Sequence, residues 1–145
     1  MLRRPLVLAF VALFLLLSAG LARFLSVEGQ ERDAIVTVLE AQARGDVDGV
    51  LDRLTACDAT CAANLRRAVP RLAGPGDVKL VRQDSATSYA LGSATGTSRV
   101  VWVRGPEGAP VVQCFEVRRE GSALAGRSTS LLRLSAPLRD NEDPC

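Results

Sequence analysis

The sequence predicts an α+β fold: an N-terminal transmembrane helix, then two to three helices packed on a curved antiparallel sheet of four to five strands. Three observations predict it. Residues 5–22 form an uncharged, almost wholly apolar run. Apolar residues then recur at helical spacing as far as about residue 69. Beyond Gly74-Pro75-Gly76 the apolar pattern changes to the alternation of strands. Helices first and strands afterwards indicate an α+β domain.

The apolar run follows Arg3 and Arg4 and is closed by Arg23. That layout suits either a retained single-pass anchor or a cleaved signal peptide. Eighteen helical residues would span about 27 Å, close to the hydrocarbon thickness of about 30 Å. A cut after Gly20 or Ala22 would place small residues at the required positions. Either outcome leaves the two arginines inside and carries the acidic flank of Glu28, Glu31 and Asp33 outside. The expected layout is residues 1–25 as anchor or signal peptide, 26–30 as linker, 31–136 as an extracytoplasmic domain, and 137–145 as a tail. The expected location is the cell membrane with the domain outside, the alternative being secretion.

In the exported part, Glu31 to Arg44 reads as a helix. Ile35, Val38 and Leu39 share one face, and Glu31, Arg32, Glu40 and Arg44 are assigned to the other. Gly45 ends it, and Asp46 caps a short second helix with Val47, Val50, Leu51 and Leu54 inward. A third helix is expected over about 62–69, with Leu65, Ala68 and Val69 inward and Pro70 at its end. Strands are expected over 78–82, 87–91, 99–104, 110–119 and 126–134, with 93–98 as a loop. Short turns between them favour an antiparallel meander.

The stretch VLEAQARGDVDGVLDRL at 38–54, a long helix, Gly-Asp and a short amphipathic helix, resembles the opening of the cystatin-like cone in the nuclear-transport-factor-2-like superfamily. The resemblance implies a helix cradled by a curved sheet over about residues 31–134. Enzymes of that superfamily commonly place Asp–His or Tyr–Asp pairs in the cone. This chain has no histidine and a single tyrosine, Tyr89, so the resemblance implies a fold more than an activity.

Composition excludes several classes. Setting aside Arg3, Arg4 and Arg23 leaves 15 basic and 16 acidic side chains, a near-neutral domain with no footprint for nucleic acid. With no histidine, the commonest general base and metal ligand is missing. No phosphate-binding glycine loop, nucleophile elbow or zincin motif occurs. No catalytic residue, cofactor or metal site is assigned.

Cys57, Cys61, Cys114 and Cys145 all follow the apolar run. In an oxidising compartment an even count reads as two disulfides, with three pairings open. Spacing favours Cys57–Cys61 and Cys114–Cys145. Zinc binding and a redox-active Cys57/Cys61 pair are the alternatives.

Other candidates have plainer readings. Asp46, Asp48 and Asp52 are a cap and a wet helix face rather than a cation site. Residues 85–98, rich in Ser and Thr, face solvent rather than a pocket. Trp102 belongs in a core rather than on a ligand platform. Arg118, Arg119 and Arg127 protect a strand edge rather than bind phosphate. The expected function is a non-catalytic binding or accessory module, tethered to the membrane through residues 5–22, whose partner is an envelope protein or an apolar ligand. The alternatives are a small enzyme using Tyr89 with Asp84, and a redox or assembly accessory acting through Cys57 and Cys61. A filled cone would leave the protein-interaction role.

Overall fold

A computed structural model describes the backbone of residues 3–86, 93–122, 126–139 and 145; within these, the side chains of 3–6, 23–28, 122, 126 and 127 are not described. The order is α1 (Arg3–Ala43), α2 (Val47–Leu51), α3 (Ala59–Leu72), β1 (Val78–Ser85), β2 (Ala94–Arg104), β3 (Val111–Ser122) and β4 (Gly126–Leu134). The four strands form an antiparallel meander in sequence order. The strand expected over 87–91, with Tyr89, lies outside the described residues.

The expected transmembrane helix is corrected. Among the described residues, no helix is long and apolar enough to cross a membrane. The described apolar side chains of α1 run over 7–22, about 24 Å of helix against about 30 Å of hydrocarbon. They are exposed, Phe10 by 75% and Leu16 by 72%. Residues 26–30, expected as a linker, lie within α1, which runs through them unbroken.

Only the second half of α1 enters the core. Ile35, Val38, Leu39 and Ala41 are fully buried against Val100, Trp102, Phe115, Val117 and Leu131. The helix crosses one face of the sheet and touches both outer strands, β1 and β4. It ends as expected in a Schellman turn. Gly45 takes φ 75°, its N–H donates to Gln42 O at 2.9 Å, and Asp46 N–H donates to Ala41 O at 2.9 Å. A side chain at Gly45 would be strained by that φ and would also press on Ala73 Cβ at 3.1 Å.

Asp46 then caps α2 by accepting from Gly49 N–H at 2.8 Å, and Asp58 caps α3 by accepting from Cys61 N–H at 2.8 Å. Helix α3 is longer than its expected 62–69. Pro70 lies inside it, only two residues from the end, where it forfeits one hydrogen bond and leaves the last turn standing. Leu65 and Val69 are buried, and Ala68 is half-buried.

Residues 94–98, expected as loop, belong to β2. Thr95 and Thr97 suit a strand, and their backbone is claimed by Arg118 and Glu116 of β3. In β4 the register shifts beside Glu116/Val117, so Leu131, Leu132 and Leu134 are all buried instead of alternating. The outer edge of β4 is covered by residues 54–56. Leu54 bridges Leu131, and Thr55 and Ala56 donate to the carbonyls of Leu131 and Leu132 at 2.9 and 3.1 Å. The other edge, β1, carries a register shift between Leu80 and Arg82 and the charges of Lys79, Arg82 and Asp84, which discourage pairing with another strand.

The structure contains two disulfides, Cys57–Cys61 and Cys114–Cys145, with Cα separations of 5.3 and 5.8 Å. The first fastens the turn before α3 to that helix. The second ties the C-terminus to β3 across 31 residues. Removing the longer link is expected to cost about 3–4 kcal/mol and the shorter about 2, by loop-closure entropy. Urea denaturation of Cys114→Ser/Cys145→Ser and Cys57→Ser/Cys61→Ser double variants measures both, and equal losses would contradict the loop-length argument.

Candidate functional site

Two polar constellations stand out, one inside the molecule and one at its surface. The inner one joins α1 to the sheet. Glu31, assigned by its charge to the wet side of α1, is 1% exposed. It lies one helical turn before Ile35, so it shares the face of Ile35, Val38 and Leu39. Arg119 Nε donates to Glu31 Oε2 at 3.0 Å, and its Nη2 donates to the same oxygen. Gln83 Nε2 donates to Glu31 Oε1 at 3.0 Å, and Arg119 Nη2 reaches Ser85 Oγ at 3.4 Å. The inward residues of β2 beside this cluster are small: Ala94, Gly96 and Ser98. They leave the room that a guanidinium and a carboxylate need beneath a helix.

Arg119 therefore does not join a basic strand edge. Arg118, the next residue along, faces the opposite side of the sheet, half-exposed and 3.8 Å from Glu120. The side chain of Arg127 lies outside the described residues. Ser98, within the stretch read as solvent-facing, is fully buried, and Ser85 meets Arg119.

Among the described residues, the rest of the inner face is packed with buried side chains. Trp102 is 1% exposed, and its indole N–H donates to Gln113 Oε1 at 2.9 Å, while Gln113 Nε2 donates to Ser135 O at 3.1 Å. This chain of two bonds lets a large polar-edged ring and an amide sit inside an apolar core. Trp102 is thus core, not a platform.

The outer constellation is a groove between α3 and the strap of residues 135–139. After β4 this strap stays on β3: Ser135 N–H donates to Cys114 O at 2.9 Å and Leu138 N–H to Val112 O at 2.8 Å. The groove has two adjoining lobes of about 410 and 390 Å³ that share Asn64 and Ala136. Both disulfides border the first lobe, through Cys61 and Cys114. Its charged wall is a small network in which Arg133 Nη2 lies 3.0 Å from Asp58 Oδ2 and Arg133 Nε lies 3.9 Å from Glu116 Oε2. The second lobe has an apolar floor of Ala68, Leu72 and Pro137, with Arg67, Arg71 and Arg139 around it.

Asp58 is both the α3 cap and the partner of Arg133. The Cys61 N–H at the start of α3, helped by Arg133 and the Thr60 N–H, holds its carboxyl below the ordinary value of 3.8. A depressed folded value means a contribution to stability that is complete above 3.8 and is lost as pH falls through the lower folded value. Asp58→Asn should therefore melt below wild type at neutral pH, and the gap in Tm should close on acidification below 3.8. A gap that widens in acid would contradict this sign.

Cys57 and Cys61 are joined in a disulfide, half-buried and packed on the core. Asp84, the carboxylate paired with Tyr89 in the enzyme reading, is exposed and held by Arg82 Nε at 2.7 Å. Asp46 is the α2 cap, and Asp48 and Asp52 are exposed.

The sequence alone assigns Glu31 to the outer face of its helix and Arg119 to a strand edge, and gives Gln83 and Gln113 no role. The signal was present as period rather than composition. Glu31 continues the 35–38–39 helical face by one turn, and Gln113 and Arg119 continue the Phe115–Val117 alternation by one step of two residues at either end. Comparison with protein-family models, with characterised proteins and with solved structures finds no match.

Proposed function

We propose that this chain is an exported, disulfide-stapled domain that binds another protein and catalyses no reaction. The observation that carries the reading is the filled inner face. Helix α1 and the side chains of Trp102, Phe115, Ile35 and Leu39 occupy the place where a cone-shaped fold would hold a small ligand. The open groove beside α3 offers a surface suited to a polypeptide instead. Two disulfides fit an oxidising compartment outside the cytosol. The long helix lying across a four-stranded meander supports the likeness to a cystatin-like cone as the reading of its fold family. The exposed apolar residues 7–22 pack on none of this core, which fits a leader used for export.

The reading is tested with the intact chain in its own host, carrying a photoreactive residue at Asn64 in the groove or at Lys79 on the β1 edge. A discrete protein adduct from position 64 and none from position 79 is the expected result. Equal adducts from both positions, or none from either, would overturn it. Saturable uptake of a small apolar ligand by the purified chain would overturn it equally.

A further inference from the structure

The second lobe of the groove has a chemistry that the rest of the near-neutral domain lacks. Helix α3 brings Arg66, Arg67 and Arg71 within 14 residues that contain no acidic side chain. Arg67 and Arg71 are one turn apart and line the same lobe. Among the described residues lining that lobe, none is acidic. Arg67 Nη2 donates to Asn64 Oδ1 at 2.7 Å, which draws its guanidinium along the wall and orients the Asn64 amide at the junction of the two lobes. Between the arginines and the strap, the floor is Ala68, Leu72, Ala136 and Pro137. In the first lobe the carboxylates of Asp58 and Glu116 already face Arg133. Arg67 and Arg71 thus face no carboxylate among the described residues of their lobe, and this positive charge lies at one end of the groove, beside an apolar floor.

We propose that the groove takes an extended segment of a partner protein, with its carboxylate side chains on Arg67 and Arg71 and an adjoining aliphatic side chain on the Ala68–Leu72 floor. This deepens the binding reading above and rests on it. The two lobes, of about 410 and 390 Å³, adjoin at Asn64 and Ala136. A lone anion would leave the floor and the first lobe empty. Arginine suits the role because its planar fork can take a carboxylate through two hydrogen bonds.

The test uses the intact, oxidised chain and a random-peptide display library. Recovered peptides should be enriched in Asp and Glu over the input, with an aliphatic residue close by. The strongest of them, followed by fluorescence anisotropy, should lose about tenfold or more in affinity against Arg67→Glu/Arg71→Glu. Its binding should weaken with added salt, since exposed charges are screened. Lys79→Glu, a charge reversal on the far edge strand, should leave affinity unchanged. Three results would overturn the proposal: no peptide recovered, recovered peptides without an acidic excess, or affinity unchanged by the α3 reversals. If those reversals lower Tm but not affinity, the arginines serve only the end of α3. If peptides bind only after Asp140, Glu142 and Asp143 are replaced by their amides, the groove belongs to the chain's own tail. A protein captured at position 64 through a non-acidic segment would refute this proposal while leaving the binding reading intact; capture of nothing would refute the binding reading itself.

Discussion

Replacing Arg119 with methionine is expected to destabilise the domain by about 3–5 kcal/mol, because it leaves a buried carboxylate without its counter-charge. Glu31 accepts both of its close charge-assisted bonds from this one guanidinium, and neither group has access to water, at 1% and 7% exposure. Gln83, the other donor, is a neutral amide and offsets little of that loss. The double variant Glu31→Leu/Arg119→Met should regain most of the stability, since an apolar pair of similar volume asks for no solvation. Urea denaturation gives both numbers as shifts of midpoint at constant slope. A small loss in the single variant would mean that the pair is solvated in solution. A double variant as unstable as the single one would mean that packing, not charge, dominates at this position. The ion pair also occupies the point where α1 leaves the sheet and continues into the exposed residues 7–22. Losing it should raise hydrogen exchange in α1 around residue 31 before the segment around Leu39 is affected.

Truncating Trp102 to alanine should cost a further large amount, about 3–5 kcal/mol, through the cavity it leaves beneath α1. The ring is 1% exposed and sits in the cluster that joins α1, α3 and the sheet. Trp102→Phe separates two contributions. It keeps most of the packing but leaves Gln113 Oε1 without its donor, at a cost of about 1–3 kcal/mol. Adding Gln113→Leu to Trp102→Phe removes the orphaned acceptor and should recover part of that loss, although Ser135 O then loses the Gln113 amide. Thermal unfolding of the three variants orders them. Trp102→Phe behaving like wild type would show that the hydrogen-bond chain contributes nothing net. Neither substitution touches Asn64, Arg67 or Arg71, so binding at the groove should follow the folded fraction alone.

Much of the helical layer is legible in the linear pattern. Ile35, Val38 and Leu39 announce the buried face of α1. Gly45 and Asp46 announce the break and the cap, and Val50 announces the buried face of α2. These are local effects: side-chain period, one left-handed glycine, one carboxylate within reach of an amide three residues on. The Cys57–Cys61 spacing belongs to the same class, because a pair four residues apart closes almost by itself, whereas Cys114 and Cys145, 31 residues apart, are brought together by the fold. The groove was not legible. Its walls come from residues near 64–72 and 135–139, which nothing in their spacing connects, and the strap is held beside α3 by its hydrogen bonds to β3.

The clearest division between sequence and fold lies at Glu31 and Arg119. By itself the chain determined that residues 31–43 are helical, that a strand runs through 111–119, and that no histidine chemistry is available to it. It also held the periods that place Glu31 and Arg119 on inward faces, yet composition assigns both to water. Only the tertiary structure decided the matter. A buried charge is tolerable when its partner arrives from 88 residues away in the chain, and no local pattern reports whether that partner will be there. The apolar run at 5–22 shows the same limit in reverse. Its hydrophobicity is a property of the sequence. In the fold, its described side chains remain exposed, and the span they make falls short of a bilayer.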